Sequence, residues 1–115
     1  MIPRYTQPEM AAIWSDENKF STWLTVELAV LQVQEGLGMV PVGTYEQVKA
    51  KAAFNVERML EIEAEVKHDV IAFVSCVAEN VGETGRWLHL GMTSSDLIDT
   101  GFALLIGQAG ELLLQ

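Results

Sequence analysis

Only two histidines occur in the chain, and each sits in a polar cluster: Lys67-His68-Asp69 just before an apolar run, and His89 at the head of His89-Leu90-Gly91-Met92-Thr93-Ser94-Ser95-Asp96. Imidazole donates, accepts or carries a proton near neutral pH, so both clusters are candidates for proton transfer or for holding an anion. A lysine and an imidazole ahead of a helical run could bind an anion and supply a proton, with Asp69 fixing the ring's tautomer or orientation. Thr93, Ser94 and Ser95 fall where a helix should begin. There, unpaired backbone N–H groups and the positive end of the helix dipole form a receptor for phosphate or carboxylate. Plainer readings stand beside these. Thr93 can be a cap whose hydroxyl bonds the Asp96 N–H, His68 and Asp69 a solvated first turn, and His89 a loop residue packing on Trp87.

Composition narrows the chemistry. Sixteen acidic residues against seven basic ones give a formal net charge of -9, so an anionic ligand must be held locally and nucleic acid or an anionic membrane surface would be repelled. The three arginines and four lysines form no stripe that could follow a phosphate backbone. Two histidines far apart in sequence and one distant cysteine match no zinc spacing, so no metal is expected. Thr93-Ser94-Ser95-Asp96 lacks the Gly-x-Ser-x-Gly frame of a serine hydrolase. Cys76 lies in the apolar run from Val70 to Ala78 and reads as a buried structural thiol. Met1-Ile2-Pro3-Arg4-Tyr5 has no secretory apolar region and no stretch approaches a membrane span, which points to a reducing, cytoplasmic compartment.

The elements that must position the clusters are helices. Thr6-Gln7-Pro8-Glu9 predicts a short helix through Trp14, and Ser15 caps the next, whose Phe20, Trp23, Leu24, Leu28 and Leu31 recur at helical spacing as far as Gly36. Thr44-Tyr45-Glu46-Gln47 repeats the capping-box pattern and opens a helix toward Ala53. Asn55 begins another, with Met59, Leu60, Ile62 and Val66 as its apolar positions and Glu61, Glu63 and Glu65 as a solvated face. Val70, Phe73, Val74, Val77 and Val81 mark a further helix, closed by Gly82, with His68 and Asp69 in its first turn. After a loop through Gly85-Arg86-Trp87, Thr93 to Asp96 opens a final helix from Leu97 through Leu114. Gly101, Gly107 and Gly110 in that helix predict close approach of neighbouring backbones. Its ending in Leu112-Leu113-Leu114-Gln115 reads as an element cut midway, hence as a piece of a longer polypeptide, or else as a helix swapped within an oligomer.

Taken in order, Ile2-Pro3-Arg4-Tyr5, Pro8-Glu9-Met10 with Ile13-Trp14, Ala53-Phe54 with Val56-Glu57-Arg58, Lys67-His68-Asp69-Val70-Ile71-Ala72-Phe73, and Arg86-Trp87 followed by His89 through Asp96 resemble the adenylosuccinate lyase family of the fumarase/aspartase superfamily. The resemblance implies an all-α fold, with residues 1–92 as the N-terminal helical substrate-binding domain and 93–115 as the start of a central helical bundle. It implies elimination of fumarate from adenylosuccinate, giving AMP, and from the succinyl-carboxamide ribotide of purine biosynthesis, with no cofactor. It also implies a homotetramer whose active sites combine segments of different subunits. Arg4 and Tyr5, otherwise a frayed tail, match residues that contact the nucleotide. Lys67, His68 and Asp69 match a substrate-contacting triplet in which His68 orients the substrate and supports proton transfer. His89 matches a positioning histidine, and Thr93 and Ser94 match hydroxyls that hold a substrate carboxylate. The family's principal acid, a later histidine, and its base, a serine on a mobile loop, would both lie beyond Gln115. Argininosuccinate lyase and aspartase share the Thr-Ser feature, but the Lys67-His68-Asp69 block and the Arg4-Tyr5 terminus favour a nucleotide substrate. A non-catalytic helical module that buries Leu112-Leu113-Leu114 against a partner is the alternative from another class.

Overall fold

A computed structural model of the protein describes residues 7–115. The elements in order are α1 (Pro8–Ile13), α2 (Asp16–Gly36), α3 (Thr44–Lys51), α4 (Val56–Val66), α5 (Asp69–Val81), a short 3-10 helix (Glu83–Trp87) and α6 (Ser94–Leu113). Every regular element among the described residues is helical, so the fold class is all-α as expected.

Local chemistry explains most of the helix starts. The Ser15 hydroxyl accepts from the Asn18 amide at 3.2 Å to open α2, and the Asn55 side chain accepts from the Arg58 amide at 3.0 Å to open α4. One predicted cap cannot be placed and another differs. Thr6 lies outside the described residues, and the residue flanking α1 is Gln7, whose side chain makes no capping bond. At α3 the flanking residue is Gly43 at φ 94°, and Thr44 is already helical, its hydroxyl donating to the Pro41 carbonyl at 2.7 Å. The orphan amide of Tyr45 is instead accepted by Glu35 of α2 at 2.9 Å, a tertiary bond that replaces the expected capping box. Ala52 turns to an extended conformation, so α3 stops at Lys51 rather than Ala53.

Four aromatic rings from separated segments form the centre of the core. Phe73 of α5, fully buried, stacks on Phe20 at a centroid distance of 6.0 Å and meets Trp23 edge-on at 5.5 Å and Phe54 at 5.9 Å. Val70, Val77 and Val81 of α5 and Leu31 of α2 extend this core, whereas Leu24, Leu28 and Val74 pack at its margin. Cys76 is buried within it, as expected of a structural thiol. In α4 only Met59 and Ile62 are buried. Leu60 and Val66 are exposed because the helix meets α5 along a narrower stripe than its apolar residues suggest. Arg58 bridges Glu61 and Glu79 on the α4–α5 surface.

The last helix crosses α2 and α1. Gly101 is what allows it: a side-chain carbon added there would lie 2.8 Å from the Trp23 ring, so the helix sits directly on the indole. The expected close approach thus occurs at one glycine and against a side chain, while Gly107 and Gly110 have nothing within 4 Å of such a carbon. Gly85 makes the other tight contact, against the Ala78 backbone, and this draws the predicted loop at 85–87 into the 3-10 turn beside α5.

Candidate active site

The N-termini of α5 and α6 lie together and join the two polar clusters. His68 is the capping residue of α5, one position before the first turn in which it was expected, and its Nδ1 accepts the Ile71 amide at 3.3 Å. An amide can only donate, so Nδ1 carries no proton and the neutral ring bears its hydrogen on Nε2. That Nε2 lies 3.1 Å from the Ser94 hydroxyl at the first position of α6, and donates to it. The Ser94 oxygen therefore accepts one hydrogen bond from His68 and has its own hydrogen left to donate, the polarity suited to a carboxylate or phosphate oxygen.

Asp69 does not fix the His68 tautomer in this structure. Its Oδ1 is 3.9 Å from Nδ1, too far for a hydrogen bond, and instead accepts the Val70 amide at 2.8 Å. Lys67 closes α4 in the left-handed conformation, at φ 56°, which reverses the chain between α4 and α5 and leaves its side chain exposed beside the cluster. At the start of α6, Asp96 accepts the Thr93 amide at 2.9 Å; Thr93 itself is exposed and Ser94 half-buried. Arg4 and Tyr5 lie outside the described residues.

His89 is held from beneath. Its ring Nδ1 is 2.7 Å from Glu27 Oε1 and its backbone N–H donates to Glu27 Oε2 at 3.0 Å. The Glu27 side chain is 2% exposed; burial pushes its carboxyl above the usual range, while the hydrogen bonds and charge of His89 pull it back. One residue on, the Leu90 carbonyl accepts from Gln34 at 2.7 Å. Glu27 and Gln34 are two helical turns apart on α2, so one helix face grips consecutive residues of the loop leading to Thr93 and Ser94. Trp87, the expected partner of His89, carries the Arg86 guanidinium 4.7 Å from its ring centroid. The sequence contained a signal for both gripping residues: a glutamate and a glutamine continue the buried series of Phe20, Trp23 and Leu31, where leucine would be ordinary.

The chain is similar in sequence to known lyases. An adenylosuccinate lyase of Synechocystis sp. is 53% identical over 115 residues, all of this chain and 27% of the relative. One from Bacillus subtilis is 44% identical over the same shares, and one from Helicobacter pylori 49% identical over 113 residues. Over its whole length the chain is adenylosuccinate-lyase-like. It spans about a quarter of the length of the curated adenylosuccinate lyases it matches. No family model matches the chain. Among solved structures, a fumarate lyase from Mesorhizobium sp. BNC1 superposes with a TM-score of 0.83 at 26% identity, covering 90% of this chain and 25% of that one. The all-α fold is therefore that of a fumarate lyase segment.

Proposed function

We propose that this chain forms one wall of the active site of an adenylosuccinate lyase, which eliminates fumarate from adenylosuccinate to leave AMP, and from the succinyl-carboxamide ribotide of purine biosynthesis. The observation that carries the reading is the junction of His68 with Ser94, 3.1 Å apart, in a chain 53% identical throughout to a relative of that name. In such a β-elimination a base takes the proton from the carbon beside a carboxylate. The electron pair forms the carbon–carbon double bond as the carbon–nitrogen bond breaks, and the departing nitrogen receives a proton. Negative charge grows on the carboxylate before the bond breaks. Thr93 and Ser94 at the N-terminus of α6 hold that carboxylate, where fixed donors and the helix dipole stabilise the developing charge. His68 orients the substrate and supports proton transfer, Lys67 and Asp69 contact it, His89 positions it, and Arg4 and Tyr5 contact the nucleotide, Arg4 by charge-assisted hydrogen bonds to phosphate.

In this reading residues 1–92 form the substrate-binding domain and 93–115 the start of a central bundle. The full-length enzyme is a cytoplasmic homotetramer with sites shared between subunits, needing no cofactor or metal and contacting neither nucleic acid nor membrane. No described helix is long and apolar enough to cross a membrane. Because the family's acid and base would come from other segments, the chain Met1–Gln115 incubated with adenylosuccinate should release no fumarate above buffer, whereas the full-length polypeptide should release it steadily. Turnover by the short chain alone would overturn the shared-site reading.

A further inference from the structure

Glu27 carries a cost that packing does not explain. It occupies a core-facing position of α2, is 2% exposed, and sits where an aliphatic side chain would be free of any desolvation penalty. Both of its oxygens are committed to one residue, Oε1 to the His89 ring and Oε2 to the His89 backbone. His89 is also one of only two non-glycine residues at positive φ among those described, at 65°, a conformation that needs outside support in a residue with a side chain. Gln34 supplies the neighbouring hold, on the Leu90 carbonyl.

We infer that Glu27 is a positioning residue for His89: its carboxylate accepts the ring's Nδ1–H and the backbone N–H together, fixing the loop conformation and leaving Nε2 as the unprotonated nitrogen available to a ligand. A carboxylate on one ring nitrogen selects the tautomer in which that nitrogen bears the hydrogen. The consequence concerns the pair of histidines. His68, whose Nδ1 accepts the Ile71 amide, presents an N–H donor at Nε2; His89, whose Nδ1 donates to Glu27, presents a bare acceptor at Nε2. The same side-chain type is thus set to opposite hydrogen-bonding roles by an amide in one case and a buried carboxylate in the other. A substrate hydroxyl, ammonium or protonated phosphate oxygen suits the second, and an anionic oxygen suits the Ser94 hydroxyl behind the first. The role of His89 toward a substrate rests on the lyase reading, but its tautomer does not.

The test uses the chain with 15N-labelled histidine, whose two rings give two spin systems, assigned by the loss of one in His68→Asn. At alkaline pH the long-range 1H–15N spectrum should show His89 protonated at Nδ1 and bare at Nε2, with His68 the reverse. Glu27→Gln leaves a single oxygen for two donors, and should move His89 toward a mixture of tautomers while His68 keeps its pattern, which also reports that α5 and α6 remain docked. A wild-type His89 protonated at Nε2 overturns the inference whatever the variant does, and so does a His89 pattern unchanged in a folded Glu27→Gln. Neither result bears on fumarate release by the full-length enzyme, so failure of the tautomer assignment and failure of the lyase reading are separable.

Discussion

In the full-length enzyme, His68→Asn is expected to lower fumarate release from adenylosuccinate by roughly 10²- to 10⁴-fold, the usual contribution of a positioned proton-transfer group. The choice of asparagine follows from the dual use of the ring. Nδ1 of His68 caps α5 by accepting the Ile71 amide, and Nε2 faces Ser94. Alanine would remove both, adding a capping loss of about 1 kcal/mol to the chemical one. Asparagine is among the best capping residues and its side-chain oxygen can take over the Ile71 amide, so only the hydrogen bond to Ser94 and the proton-bearing ring are lost. Turnover and thermal unfolding measured together check both halves. A variant that unfolds as the wild type does and yet turns over within a few-fold of it would reduce His68 to a helix cap.

The largest effect on stability is expected at Phe73. Its side chain is fully buried, and its ring contacts Phe20, Trp23 and Phe54, which come from α2 and from the segment between α3 and α4. Phe73→Ala removes the one ring that all three share, at a cost of about 3–5 kcal/mol for the lost transfer energy and the cavity left behind. Against the roughly 5–15 kcal/mol that holds a typical domain folded, this is a large fraction of the total. Urea unfolding of the chain should show a clearly lower midpoint for Phe73→Ala, with Phe73→Leu, which keeps much of the apolar volume, between it and wild type. A loss below about 1 kcal/mol would mean that the four rings do not form the centre of the core. Because His68 caps α5, loosening this core should also disturb the site.

The helices were legible because their signals are local. Ser15 and Asn55 each cap through a bond to an amide three residues on, which spacing alone announces. The start of α3 was not, because Glu35 reaches it from another helix and Thr44 turns its hydroxyl backward to Pro41. Exposure of Leu60 and Val66 likewise depends on how much of α4 its neighbours cover, which periodicity does not contain. The polar clusters were visible from composition, and the fold brings His68 and Ser94 together across 26 positions of sequence. What holds His89 was not anticipated, although a glutamate and a glutamine among core-facing positions of α2 were there to be read. The role of Asp69 differs for another reason: the His68 ring is engaged by the Ile71 amide three residues on rather than by the adjacent carboxylate, while His89 is held by Glu27 from 62 positions away.

These clusters are proposed to belong to a lyase acting on a succinyl-bearing purine nucleotide. The most direct test is fumarate release by the purified full-length protein offered adenylosuccinate, argininosuccinate and aspartate in parallel. Fumarate from adenylosuccinate alone, with AMP formed in equal amount, is the predicted result; fumarate from argininosuccinate or aspartate with none from adenylosuccinate would contradict it.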